Sequence, residues 1–330
     1  KDCKRKNEDK SKDKFCKMIV PAEKACYNQT SRNPPRNGGK MAKTLKELTI
    51  KDDFMFSAVM AEEENCRGLL ELVTGISVDR VEVSRERSFV YHPEYKGVRM
   101  DVYAKDEKNT RYNVEMQMLK KPALSRRSRY YRSQLDMDLL VSGCGYEALP
   151  DTYVIFICDF DPFGKGYYRY RFENICLEDG CMRLKDGCYT IFLNTRGKNE
   201  KEVPKALADF LRYAGASLEE SQRDFQDAYV KRLQMAVKKV KSSREMEERF
   251  MTLEEMLRDE RKEGEARGYE RGEINGRAAS VLIFLEEKGS VPKELRERIS
   301  QEKSLDVLQK WLKLSAKAES IRQFEEQMEQ

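Results

Sequence analysis

Between Gly97 and Met118 (GVRMDVYAKDEKNTRYNVEMQM) apolar and polar residues alternate with a period of two. Val98, Met100, Val102 and Ala104 alternate with Arg99, Asp101 and Tyr103. Tyr112, Val114, Met116 and Met118 alternate with Asn113, Glu115 and Gln117. This period predicts two half-buried strands. Residues 106–110 carry turn chemistry, so a hairpin is expected. Residues 81–90 predict an earlier strand, and the apolar run 153–160 (YVIFICDF) predicts a buried central strand. Shorter strands are expected over 167–172 and 189–193. Helical spacing predicts helices over 52–63, 65–74, 123–141 and 203–215. Gly75 is a C-cap signal after the second of these, and Gly143 and Gly145 follow the third. Leu124, Arg127, Tyr131 and Leu135 share one stripe of that third helix. The polar Arg127 either snorkels to the core edge or points at a site. Both readings stay open.

The flanks differ in character. Residues 1–43 are polar, with Asn33-Pro34-Pro35 and Gly38-Gly39, and read as a disordered or non-native tail. Residues 44–216 form the expected globular domain. Residues 217–277 are overwhelmingly charged and helix-favouring. Gly264, Gly268, Gly272 and Gly276 recur there every four residues, although each glycine costs a helix about 1 kcal/mol. Either this is a solvated linker or a second copy approaches the backbone closely, giving a homodimer through the C-terminal helical region. Residues 278–330 read as a small helical tail, with Ile283, Phe284, Leu295, Leu305, Leu308 and Trp311 apolar.

Composition narrows the chemistry. A net charge of +5 over 330 residues is too small to argue nucleic-acid binding by itself. The single histidine, His92, sits beside a proline and reads as a loop residue. It rules out a two-histidine metal site within one chain. Cys176, Cys181 and Cys188 match no common zinc spacing. No apolar run approaches the roughly 20 residues needed to cross a bilayer, and the N-terminus lacks a signal-peptide core. A cytoplasmic protein with reduced thiols is expected.

If the hairpin turn centres on Lys108, Asp101 and Glu115 face each other. Cross-strand neighbours lie roughly 4.5–5.5 Å apart, and like charges there repel. A cation between the carboxylates relieves that repulsion, and oxygen-only ligands suit Mg²⁺ or Mn²⁺. The hairpin alone favours two ordinary solvent-facing acids.

The motif R-x-D-V-Y, followed about a dozen residues later by E-M-Q, resembles the Rpn-type recombination-promoting nucleases, transposase-related members of the PD-(D/E)XK superfamily. The resemblance runs from about Thr44 to Arg277. It includes Asp53, Phe54 and Phe56, Leu69-Leu70-Glu71, RRSRYY at 126–131, YVIFICDFDPFGKG at 153–166, Phe172-Glu173-Asn174 and IFLNT at 191–195. It implies an α/β fold: a PD-(D/E)XK restriction-endonuclease-like core, with a mixed central sheet flanked by helices and a charged helical C-terminal extension. It implies a metal-dependent DNA endonuclease associated with recombination or mobile elements, using Mg²⁺ or Mn²⁺. Asp101 and Glu115 would hold the ion, helped by the Met116 carbonyl, with Glu71 completing the ligand set. Gln117 stands where most of the superfamily carries Lys, and would orient water or a phosphate. The resemblance therefore implies that Gln117→Lys is milder than Gln117→Ala. Lys120, Arg126, Arg127 and Arg129 would contact DNA phosphates, with Tyr131 in support. The alternative is a catalytically inactive module that binds DNA or a partner.

Overall fold

The computed structural model describes residues 43–85, 88–89 and 97–328. The tail reading of residues 1–42 and the loop reading of His92 lie outside those residues. Two helices come first, α1 (Asp53–Met60) and α2 (Glu63–Thr74). Gly75 caps α2 in the left-handed conformation (φ 75°), its N–H donating to the Glu71 carbonyl at 2.9 Å.

The strands are β1 (Val81–Arg85), β2 (Ser88–Phe89), β3 (Val98–Arg99), β4 (Val102–Asp106), β5 (Arg111–Gln117), β6 (Thr152–Cys158), β7 (Arg169–Phe172) and β8 (Cys188–Asn194). Helix α3 (Leu124–Leu139) lies between β5 and β6, and α4 (Lys205–Gly215) follows β8. The main sheet has the order β1-β4-β5-β6-β8-β7. β5, β6 and β8 run parallel, while β1, β4 and β7 pair antiparallel to their neighbours. Mixed α/β architecture is thus present, with helices packed against the sheet.

The expected single strand over 81–90 is two pieces. β1 pairs with β4 and β2 pairs with β3. The alternation before the hairpin is also broken. Val102 and Ala104 enter one core cluster, with Val114 and Met116. Val98 and Met100 enter the other, with Tyr131 and Leu135 of α3. The chain bends at Asp101 between β3 and β4, and this bend moves Met100 across the sheet.

The strands are not half-buried, as the alternation suggested. Both faces of the sheet are covered, so the polar row Asn113, Glu115 and Gln117 is buried as well. The register that places this row is fixed by aromatic stacking across the parallel strands. Tyr112 stacks on Tyr153 (centroids 5.2 Å apart), Tyr153 on Tyr189 (4.5 Å), and Phe156 on Phe192 (5.4 Å). Slipping β5 by one residue would turn Glu115 to the opposite face and break the Tyr112–Tyr153 stack.

The charged stretch after residue 217 differs from a linker in its first part. Helix α5 (Ala228–Ser242) buries Val230, Leu233, Val237 and Val240 in the first core cluster, and Phe250 joins them. The apolar stripe was diluted by lysines that take the outer face. Helices α6 (Arg244–Glu286), α7 (Lys293–Gln301), α8 (Leu305–Lys317) and α9 (Ile321–Met328) complete the chain. The described residues divide into two compact units, one ending at Thr252 and the other beginning at Leu253. The second has its own core of Val281, Leu285, Leu295, Ile299, Leu308 and Phe324. No described helix is long and apolar enough to cross a membrane.

Candidate functional site

The hairpin turn is built by Asp106. Its Oδ1 accepts the Lys108 and Thr110 N–H groups at 2.9 and 2.8 Å, and its Oδ2 accepts the Tyr112 hydroxyl at 2.9 Å. Asn109 supplies the left-handed residue (φ 71°). This turn sets the register from Val102↔Val114 to Lys105↔Arg111. Continued past the bend, the register puts Asp101 opposite Glu115. The Asp101 N–H donates to Glu115 Oε1 at 3.2 Å, and Asp101 Oδ2 accepts the Met116 N–H at 3.1 Å.

Burial and repulsion then act on both acids. Glu115 is 1% exposed. Burial pushes its carboxyl up to about 7, opposed by the Arg127 charge and the Asp101 N–H and reinforced by Asp53. Asp101 is held well above the usual carboxylate range by burial, then by Glu115 and Asp53. Asp53 is also raised, first by burial, with Arg99 and Lys121 opposing. Three acids therefore share one electrostatic environment.

Asp53 had been no more than a landmark of the resemblance. It opens the first turn of α1. Ser57, one turn on along the same helix face, donates its hydroxyl to the Asp101 carbonyl at 3.2 Å. The four-residue spacing of two polar residues on an otherwise apolar helix was the available signal. Glu71 is not brought to this group. Its carboxylate accepts the Val78 N–H at 3.0 Å and faces Arg67 at 3.7 Å, tying the end of α2 to the chain before β1.

Arg127 points inward. One guanidinium nitrogen donates to Glu115 Oε2 at 2.8 Å, another to Gln117 Oε1 at 2.8 Å, and Nε to the Tyr131 hydroxyl at 2.8 Å. Its planar head lies 4.8 Å from the Tyr131 ring centroid and 5.7 Å from that of Phe156. Tyr131 thus supports Arg127. Gln117 is fixed at both ends, since its Nε2 donates to the Met116 carbonyl at 2.8 Å. Lys120, Arg126 and Arg129 are exposed. Lys121 is the lysine whose charge is felt by Asp53, Asp101 and Glu115; partial burial and then Arg127 press its pKa down. Asn113, fully buried in the row with Glu115, lies close enough to favour the Glu115 charge. Neither of its amide atoms reaches hydrogen-bond geometry.

The donor set fits a hard divalent cation in chemistry: carboxylate oxygens, raised in pKa by burial and by one another, around the Asp101–Glu115 pair. Among the described residues no three acids, cysteines or histidines are grouped closely enough to hold a metal by themselves. A cation here would keep water or phosphate oxygens in its shell, as Mg²⁺ commonly does.

No curated protein and no solved structure matches the chain. Residues 50–266, more than half of the chain, match the family described as PD-(D/E)XK nuclease family transposase. The span takes in α1, the whole sheet, the carboxylate pair and α5, and on that match the chain belongs to the PD-(D/E)XK nuclease family of transposases.

Proposed function

We propose that the chain is a divalent-metal-dependent endodeoxyribonuclease of the Rpn type, hydrolysing phosphodiester bonds in recombination or mobile-element movement. The observation that carries this reading is the pair of buried acids, Asp101 and Glu115, opposed across β4 and β5 beside Asp53. Nucleases of this kind use such carboxylates to hold Mg²⁺ or Mn²⁺. Held there, such an ion would supply Lewis acidity toward a phosphate oxygen and a water molecule.

The chain's own groups divide the remaining work. Asp101 and Glu115 would hold the ion together with water or phosphate oxygens, and Asp53 adds negative charge beside them. Gln117 is a neutral amide, so it orients and cannot take a proton at neutral pH. Arg127, 2.8 Å from both Glu115 and Gln117, balances the buried charge and offers donors to a phosphate. Lys120, Arg126 and Arg129 are exposed nearby in sequence and contact the DNA backbone without reading bases. The C-terminal helices serve self-association. The glycines Gly264, Gly268, Gly272 and Gly276 each face open space, which leaves room for a second helix.

The test is cleavage of supercoiled and linear DNA with Mg²⁺, with Mn²⁺ and with EDTA. Metal-dependent cutting is expected. An inactive binding module would bind DNA and leave it intact in all three.

A further inference from the structure

A second concavity opens at the carboxyl ends of the parallel strands, a place where open α/β sheets commonly bind ligands. It measures ≈ 500 Å³. Its floor is Asp159 and Thr195, the residues that follow β6 and β8. Lys51 and Arg196 line it, and Arg212, Glu220, Arg223 and Asp224 line it from the α4 end onward. It adjoins the carboxylate site. The Asp159 N–H donates to the Gln117 carbonyl at 2.9 Å, and Lys51 precedes Asp53 by two residues. Gln117 ends β5, and Asp159 and Thr195 immediately follow the next two strands, β6 and β8, so the cavity floor spans roughly 10 Å from the end of β5.

The lining groups are not balanced. The acids are already engaged. Glu220 accepts the Ser217 N–H at 2.9 Å. Asp224 accepts the Gln226 N–H at 2.8 Å and faces Lys231 at 3.4 Å. Asp159 Oδ1 accepts the Thr195 hydroxyl at 2.9 Å. Two cations share the Asp159 carboxylate, Lys51 at Oδ2 (3.4 Å) and Arg196 at Oδ1 (3.8 Å). Lys51 gives one further N–H to the Gly215 carbonyl at 3.2 Å, and an ammonium has three. The Arg196 guanidinium is 68% exposed and makes no hydrogen bond among the described residues. Arg212 is spoken for by Asp209 and Glu200. Arg223 faces only the exposed Glu219, at 3.7 Å. The unused capacity of the cavity is therefore donor capacity, carried by Lys51 and Arg196 at the strand ends and by Arg223 on the far side.

We propose that this cavity is a phosphate subsite, in which Lys51 and Arg196 hold the DNA backbone a few nucleotides from the bond being cut. The phosphates of one strand advance about 3.4 Å each along the helix axis, so a span of roughly 10 Å corresponds to a few nucleotides. The proposal rests on the reading of the chain as a DNA nuclease. Free inorganic phosphate or a free nucleotide presents the same chemistry, and the experiment separates these sources.

The full chain, in EDTA to prevent cleavage, is titrated with a short labelled duplex between about 50 and 200 mM salt. Arg196→Ala and Lys51→Ala should each make the salt dependence of log K shallower by about one. Arg196→Lys should keep the wild-type slope, and Arg196→Glu should weaken binding beyond Arg196→Ala. Arg196 is exposed, so its variants test the proposal even if Lys51→Ala fails to fold. Wild-type slopes in both Arg196→Ala and Arg196→Glu overturn it. Unchanged DNA slopes, with loss of inorganic phosphate or nucleotide binding in the same variants, overturn it in favour of a free ligand. A wild-type chain that cuts DNA with metal while these slopes stay unchanged loses the subsite alone. One that neither binds nor cuts DNA loses the nuclease reading with it.

Discussion

The Asp101 N–H donates to the Glu115 carboxylate at 3.2 Å, while the Asp101 carboxylate accepts the Met116 N–H at 3.1 Å. Each acid is pinned by the other's strand, so neither can swing away from the other's charge. In the metal-free protein this geometry costs stability. Asp101→Asn keeps a carbonyl oxygen for the Met116 N–H and removes the repulsion. Its urea midpoint in EDTA should equal or exceed that of the wild type. A fall of more than about 1 kcal/mol, the size of a typical lost hydrogen bond, would mean that the acids do not strain one another.

The raised Glu115 carboxyl makes stability depend on pH in a definite direction. Its folded-state pKa of about 7 lies above the ordinary 4.5. The folded state therefore holds the proton more tightly. That stabilisation is full below about pH 4.5 and is lost as pH rises through about 7, amounting to about 3 kcal/mol. Chemical denaturation of wild type and Glu115→Gln in EDTA, at pH 5 and pH 8, isolates this contribution. The wild type should lose more stability than Glu115→Gln on going to pH 8. Equal losses would place Glu115 in an ordinary solvated setting.

Arg127 and Lys120 are both cations near the site in sequence, yet their contacts differ in kind. Arg127→Ala leaves Glu115 buried without its counter-charge. Because Arg127 is 23% exposed, the expected destabilisation is about 1–3 kcal/mol, below the range for fully buried pairs. Its turnover should fall more than its DNA affinity. Lys120→Ala should leave stability unchanged and make the salt slope of DNA binding shallower by about one. Equal effects of the two variants on both readouts would contradict the distinction.

The sequence pattern reached the hairpin, the Lys108-centred turn and the Asp101–Glu115 opposition, because period and turn chemistry are local. It also placed Arg127 on an inward stripe. It did not reach the burial of the Asn113, Glu115 and Gln117 face, since a polar row looks the same whether water or α3 covers it. Nor did it show which helix-borne acid lies near the pair: Glu71 is tied to the Val78 N–H and Arg67, while α1 brings Asp53 into the electrostatic environment of Asp101. The contribution of α5 to the core was masked by the lysines on its outer face.

At Gln117 packing and resemblance point in opposite directions. The superfamily pattern implied that Lys would be milder than Ala at this position. Here Gln117 Oε1 accepts a hydrogen bond from Arg127 at 2.8 Å, so an ammonium would meet a guanidinium. Gln117→Lys should therefore be less stable than Gln117→Ala without metal, and no more active. Higher activity in the Lys variant would show that Arg127 moves away from this position in the working enzyme.

The central claim is that Asp101 and Glu115 together bind a divalent cation. Calorimetric titration of Mn²⁺ into the DNA-free protein tests it most directly, with wild type compared with Asp101→Ala and Glu115→Ala, each checked for wild-type circular dichroism. Saturable binding is expected in the wild type, and its weakening by tenfold or more in both variants. Mn²⁺ binding of unchanged affinity in either folded variant would contradict that claim.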